Sequence, residues 1–480
     1  MPEDGGKDLL AQLDEAKLNV RFWTTIGLLI LTTILDAFDS FVVGFIVSAL
    51  APQWQLTFLQ TSIMLLSGGV GAIAGALCGG SFADRWGRKA LMVSGIFICA
   101  ISAGAVAFVP EGAWQLFAVL RFFVGFGLAG SAAAGIAFLV EYIPTRHRTM
   151  LTSAVAVPVG LGLLLASLSA ATLLPLIGWR GLAALGFSPI AVGVLLWLFV
   201  PESVRWLLTK GRVSEARSIV ARHLNVPTAS ISHSIPAPPS PSRRRLSVYA
   251  HPRRFWLTVL TWFGASTVAT NVLLWGPTIV VVLLGIAPQN AARLFVYVSL
   301  AGLAGRIMFS LLPQWLGRRC CGELMGYGSA VMLAGAAIFH ADFVGPVPLF
   351  IVFLVVGALF FEGGFANLGP YAAEIFPVRL AARGVGVAQA ANGIGRIAGP
   401  LSLALISGTN NFITPQATAD AVLPAFLFLA VCGLLVGVTF TAMAIETHGR
   451  PLSLEDDAAT NENAQADNAS EAVPTVRQAG

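Results

Sequence analysis

The 480-residue chain is 56% hydrophobic and only 11% charged, with a formal net charge of +5 and a mean hydropathy of +0.78. A soluble domain carries about 25% charged residues, so this composition excludes an ordinary soluble protein. Its excess of Lys and Arg reads as membrane topology, not as a nucleic-acid surface.

A membrane-spanning helix needs roughly 20 mostly apolar residues. Twelve such segments follow one another, near 24–50, 57–80, 90–109, 113–140, 150–172, 180–200, 255–283, 290–313, 322–341, 347–372, 384–408 and 421–444. Lipid leaves no backbone group free to go unpaired, so they must be helices. The expected fold is an all-α membrane protein of twelve transmembrane helices in two six-helix bundles, 24–200 and 255–445. Residues 1–23 are charged and lack a short apolar core before a cleavage site, so no cleaved signal is expected. Between the bundles, residues 201–254 contain VPTASISHSIPAPPSPS, a composition that predicts a flexible loop. The polar, acidic segment 446–480 predicts a disordered tail.

Basic residues fall on one side. Arg85, Arg88, Lys89, Arg146, Arg148, Arg243, Arg244, Arg245, Arg253, Arg254, Arg318, Arg319, Arg379 and Arg383 share the loops of one face, against Arg180 and Arg293 on the other. Cationic loops stay inside, so both termini are expected in the cytoplasm. Cys78, Cys99, Cys320, Cys321 and Cys432 show neither metal-ligand spacing nor a disulfide pattern.

The two halves repeat. GSFADRWGRKA (80–90) and LLPQWLGRRCC (311–321) both precede a third helix of their half, and EYIPTR (141–146) matches EIFPVR (374–379) after a fourth. Such repetition marks a transporter built from two bundles around a midplane site. GSFADRWGRK resembles the loop signature of the major facilitator superfamily, and RFFVGFG, with Arg121, Gly125 and Gly127, resembles its helix-four motif. PESVRWLLTKGR (201–212) and IETHGRPLSLED (445–456) are similar to segments of the sugar-porter-related group. The resemblance spans nearly the whole chain and implies secondary active transport; no GxxxxGK[ST] phosphate loop occurs in the sequence. It also implies a gating cluster of Gly80, Asp84, Arg85, Gly87, Arg88, Lys89, Glu141 and Arg146, with Glu374 and Arg379 in the second half. Gln314 and Trp315 replace Asp84 and Arg85 in the repeat, so a weaker second latch is expected.

LDAFDS (35–40) places Asp36 and Asp39 three residues apart on one helix face. An Asp at a membrane helix centre costs about 2.5–3.5 kcal/mol, so the pair should face a cavity, where a rocking protein could load and unload a proton. The plain alternative is a structural hydrogen-bonded acid. DAFD resembles the D-G-x-D signature of aromatic acid:proton symporters, with Ala37 at the Gly position, and LLWGPT (273–278) resembles that group's W-x-P-T. The sugar porters' paired Gln is missing from that helix.

An anionic substrate needs a cation. Arg396, in ANGIGRIAGP, is the expected carboxylate clamp, with Gly393, Gly395 and Gly399 giving backbone access. Arg121 would balance Asp36 or Asp39, Glu362 would be a second relay or a partner for Arg396, and Arg306 would snorkel near a helix end. Phe38, Phe41, Trp275 and Tyr371 are candidate ring contacts, and Asn271, Asn367, Gln389 and Asn392 candidate hydrogen-bonding groups. The sequence thus points to a proton-coupled transporter of a small organic, aromatic carboxylate in a bacterial inner membrane. It is expected to be monomeric, with no cofactor beyond the coupling proton and no metal. Alternatives are a nicotinate-like, aliphatic, sugar or organic-cation substrate, or a non-transporting sensor on the same fold. No nucleophile–base pair suggests an enzyme.

Overall fold

The computed structural model describes residues 9, 19–142, 156–224, 226–227, 231, 247–377 and 380–447. The first helix, α1, is Val20–Gln53, and the Asn19 side chain caps it by accepting the Phe22 N–H. The second, α2, is Phe58–Trp86, opened by a capping box in which Thr57 and Gln60 exchange side-chain-to-backbone bonds. Helices α3 (Arg88–Ala105), α4 (Trp114–Tyr142), α5 (Ala156–Ala184) and α6 (Pro189–Phe199) complete the first half. Two short helices, α7 (Val204–Thr209) and α8 (Val213–Leu224), follow. The second half holds α9 (Pro252–Leu284), α10 (Pro288–Leu311), α11 (Pro313–Ile338), α12 (Leu349–Phe361), α13 (Phe365–Glu374), α14 (Ala381–Ser407) and α15 (Pro415–Met443). A two-stranded hairpin, β1 (Phe343–Val344) with β2 (Val347–Pro348), joins α11 to α12.

Among the described residues, ten stretches are long and apolar enough to cross a membrane. One of them, Val157–Phe199, is 43 residues long and contains two crossings, because α5 breaks at Gly178, where φ is 66°. The remaining crossing is α14, whose glycines and polar residues Gln389, Asn392 and Arg396 lower its apolar character. The crossing formed by α12 and α13 is interrupted by a turn at Glu362, Gly363 and Gly364.

Helices within a bundle approach closely through small residues. A Cβ on Gly125 of α4 would collide with the Gly68 backbone of α2, and one on Gly162 of α5 would collide with Ala37 and the Ile34 carbonyl of α1. The small side chain at position 37 therefore lies directly in a helix contact.

The bundles meet along α1 with α9, α2 with α14, and α5 with α10. At the end away from the basic loops they are clasped by backbone. Phe58 N–H donates to the Asn411 carbonyl (3.0 Å), Leu59 N–H to Thr409 (3.3 Å) and Ile413 N–H to Leu56 (3.2 Å). Thr57 and Phe412 form an antiparallel bridge within this clasp. Along α14, side chains pass from exposed at Gly386 and Gln389, through half-buried at Asn392 and Arg396, to buried at Gly399 and Pro400. The cleft between the bundles is thus open toward the basic loops and closed at the clasp.

The expectation of an unstructured segment after the first bundle is corrected over its first part. Val204, Trp206, Leu207, Ala216, Val220 and Ala221 form a small apolar core with Leu9 and Ile231, because α8 has one apolar face. The Pro/Ser-rich stretch 232–246 lies outside the described residues.

Candidate functional site

Two acids and two arginines meet where the bundles face each other. Asp39 is 3% exposed and Arg121 6% exposed. Arg121 Nη1 donates to Asp39 Oδ2 at 3.1 Å and to the Asp39 carbonyl at 3.3 Å. This is a buried ion pair with one shared nitrogen, not a two-pronged fork. One turn away on α1, Asp36 is half-buried and has no hydrogen-bond or ion-pair partner among the described residues.

Arg396 projects from α14 and is also half-buried and unpaired among the described residues. The charge acting on it is that of Arg121. Adjacent glycines of α2 hold both arginines: a Cβ on Gly68 would lie 3.6 Å from Arg121 Nη2, and one on Gly69 would lie 3.5 Å from Arg396 Cβ. Arg121 and Arg396, from opposite bundles, therefore pack against neighbouring positions of α2. Two like charges in a poorly solvated cleft favour an anion. On the same face of α14 stand Asn392, four residues before Arg396, and Gln389, whose Oε1 accepts from Asn392 Nδ2 at 3.2 Å.

Several expected site residues lie elsewhere. Glu362 does not reach Arg396; it accepts from Arg306 Nη2 at 2.8 Å, both side chains being 7% exposed or less. Arg306 consequently does not snorkel; its guanidinium also lies over the Phe365 ring at 5.8 Å. The turn between α12 and α13 turns Glu362 toward α10, which a straight-helix reading misses. The Tyr371 hydroxyl is engaged elsewhere: it donates to the Ile445 carbonyl (2.9 Å) and accepts the Ile445 N–H (3.0 Å), tying α13 to the chain after α15. Asn367, fully buried, donates to the Arg318 carbonyl at 3.0 Å. Phe38 is buried and Phe41 half-buried in the packed core around α1. Asn271 donates to the Gly399 carbonyl (2.5 Å) and to Ser402 Oγ (3.2 Å), joining α9 to α14. Trp275 stacks on Phe58 near the clasp. Gly395 and Gly399 serve this α9–α14 contact, and Gly393 faces Ile73 of α2; none opens the backbone to a ligand.

The basic-loop cluster is organised by two glutamates the sequence reading passed over. Glu202 Oε1 accepts the N–H groups of Arg88 and Lys89 at 3.0 Å each, capping α3. In the repeat, Glu446 accepts Arg318 N–H (2.9 Å) and Arg319 N–H (3.1 Å). Gly87 (φ 105°) and Gly317 (φ 79°) occupy the left-handed region beside these carboxylates, and a Cβ at either would collide with its glutamate. The shared signal was present in PESV and IETH, each just after the last helix of its half. Arg318 also forks onto Glu374 (2.8 and 3.1 Å), which accepts from Thr447 Oγ1 at 2.8 Å. In the second copy Glu374 and Glu446 supply acids where Gln314 does not; the side chains of Asp84 and Glu141, against which its expected weakness would be compared, lie outside the described residues. Arg85 is exposed. The surroundings of Gly80, Asp84 and Glu141, together with Arg146 and Arg379, lie outside the described residues.

Comparison with known proteins agrees with this architecture. The niacin transporter NiaP of Acinetobacter baylyi is 28% identical over 454 residues, covering 93% of this chain and 99% of the relative. The 4-hydroxybenzoate transporter PcaK of Pseudomonas aeruginosa is 27% identical over 432 residues, covering 88% and 94%. Among solved structures, the crystal structure of a D-xylose-proton symporter superposes with a TM-score of 0.70 at 19% identity, over 89% of this chain and 99% of that one. Residues 29–400 match the profile of the Major Facilitator Superfamily. With two six-helix bundles around a charged cleft, the chain belongs to that superfamily and is a multi-pass membrane transporter, not an enzyme.

Proposed function

We propose that this protein is a proton-coupled importer of a small aromatic carboxylate, working by alternating access with its basic loops and both termini in the cytoplasm of a bacterial inner membrane. The observation that carries the reading is the four-charge cluster: a paired Asp39 and Arg121, flanked by an unpaired Asp36 and an unpaired Arg396. The niacin and 4-hydroxybenzoate relatives support the substrate class, since each ligand is a ring bearing a carboxylate. The basic loops on one face support the orientation.

The coupling follows from charge balance. Asp36, Asp39, Arg121 and Arg396 sum formally to zero. One carboxylate alone leaves the site at −1, and one proton alone leaves it at +1; both together restore zero. An uncompensated charge in a closed, weakly polar cleft costs several kcal/mol, so the empty and doubly loaded forms reorient and the half-loaded forms do not. Arg396 binds the substrate carboxylate. Protonation of Asp39 frees Arg121 to join it, so proton and anion favour each other's binding. Asp36, one turn nearer the basic end, receives the proton on its way out.

Purified protein in proteoliposomes tests this. With radiolabelled 4-hydroxybenzoate and niacin, accumulation should follow an imposed pH gradient and ignore a potassium–valinomycin potential. Accumulation that survives collapse of the pH gradient, or that a potential alone drives, would exclude the mechanism.

A further inference from the structure

On the two helices that carry Phe58 and Trp275, three enclosed polar side chains have no hydrogen-bond partner among the described residues. Thr61 Oγ1 lies on α2, and Trp275 Nε1 and Thr278 Oγ1 lie on α9. The three residues are at most 1% exposed. A buried donor without a partner costs about 1–3 kcal/mol, and native proteins retain few of them. These three flank one contact. The rings of Phe58, from the first bundle, and Trp275, from the second, stack with centroids 5.8 Å apart and planes at 28°. Thr61 is one turn from Phe58, and Thr278 one turn from Trp275, so each hydroxyl lies on its ring's helix face. The backbone bonds of the clasp begin at Phe58 itself. Any opening of the cleft at this end must break those bonds and part the two rings.

We propose that the parted rings form a second, outer recognition site for an aromatic carboxylate. This rests on the substrate class proposed above. A ring held between two others needs planes about 7 Å apart, two contacts of about 3.5 Å, so the opening must part the two stacked rings by about one ring thickness. Phe58 and Trp275 then stack on the ring of the incoming acid. The indole N–H and the hydroxyls of Thr61 and Thr278 supply neutral donors for its carboxylate. The site lies outside the Asp39–Arg121–Arg396 cluster and holds no charge of its own, so it captures the acid weakly and releases it inward to the arginines.

The test uses right-side-out and inside-out vesicles, with radiolabelled 4-hydroxybenzoate uptake and inhibition by benzoate and by cyclohexanecarboxylate. Thr61→Val, Thr278→Val and Trp275→Phe keep the packing and remove one donor each. Each should raise the KM measured from the clasp side about two- to tenfold, the reach of one neutral hydrogen bond, with the KM from the opposite side unchanged. Phe58→Leu should erase the preference for benzoate over cyclohexanecarboxylate at the clasp side, a preference of about two- to tenfold if it comes from ring stacking. Unchanged clasp-side KM values in all three donor variants, or a retained preference in Phe58→Leu, would overturn the site. So would a clasp-side rise matched by a fall on the opposite side, the mark of a shifted conformational balance. Wild-type protein that carries no aromatic acid at all would instead overturn the substrate class, and the slot with it.

Discussion

Removing one member of the Asp39–Arg121 pair should cost much more than removing both. The two side chains are 5% and 7% exposed and joined at 3.1 Å, so neither charge can turn to bulk water when its partner is lost. Deleting one partner of such a pair costs about 3–5 kcal/mol, whereas replacing both by neutral residues of similar shape is often close to neutral. Asp39→Asn should stand at the upper end of that range, because Arg121 keeps its charge in any surroundings and cannot shed a proton to relieve its burial. Arg121→Gln should stand lower, since Asp39 can then take up a proton. The double variant should recover to within about 1–2 kcal/mol of wild type, giving an interaction energy of about 6–7 kcal/mol in a double-mutant cycle. Equilibrium unfolding in detergent measures the stabilities, and 4-hydroxybenzoate should selectively rescue Asp39→Asn by supplying the missing negative charge. Strictly additive costs, with no rescue by the anion, would show that the pair does not function as a unit and that the two arginines do not share one anion.

Arg396→Lys keeps the charge and loses the planar donor fork, so binding of 4-hydroxybenzoate should weaken by about 1.5–3 kcal/mol, roughly 10- to 150-fold; calorimetric affinities unchanged in Arg396→Ala would remove it from the site. Asp36→Asn should leave thermal stability equal or higher, because Asp36 has no partner to lose, yet abolish pH-driven accumulation while substrate exchange persists; full accumulation would exclude Asp36 from the proton path. Gly317→Ala should lower stability by at least the roughly 1–2 kcal/mol of a left-handed non-glycine residue, since its Cβ also meets Glu446. Gly386→Ala, in an exposed stretch of α14 with nothing near the added Cβ, should be neutral or gain up to about 1 kcal/mol, and parallel melting curves of the two variants decide the comparison.

The helices were legible because lipid demands long apolar runs, and that signal is strong in eleven of the twelve segments. Even α14 was found, since its polar residues interrupt the run without shortening it. Asp36, Asp39, Arg121 and Arg396 were legible for a related reason: a charge in an apolar helix has few uses. Direction was harder to read. Nothing in FFEGGFANLG says that the chain turns at Glu362 and sends its carboxylate to Arg306 instead of Arg396. Tyr371 and Asn367 looked like ligand contacts because their polarity was visible, while their partners, Ile445 and Arg318, are 74 and 49 residues away. Glu202 and Glu446 were hidden differently. They act on backbone N–H groups more than 100 residues distant, and the sequence spells out side chains, not the amides they cap.

The clasp between the bundles is made from amides and carbonyls, and this has an evolutionary consequence. A side-chain latch is lost by one codon change, but Phe58, Leu59 and Ile413 donate through groups that nearly every residue possesses. Its strength is therefore shielded from most point mutation, and the side chains at those positions are free to drift toward new ligands without unlocking the gate. Proline is the exception, because it alone lacks the N–H. A lineage that changes what it carries can thus rewrite the lining of this mouth while inheriting the lock intact, and a proline arriving at 58, 59 or 413 would mark a lineage that had given the lock up.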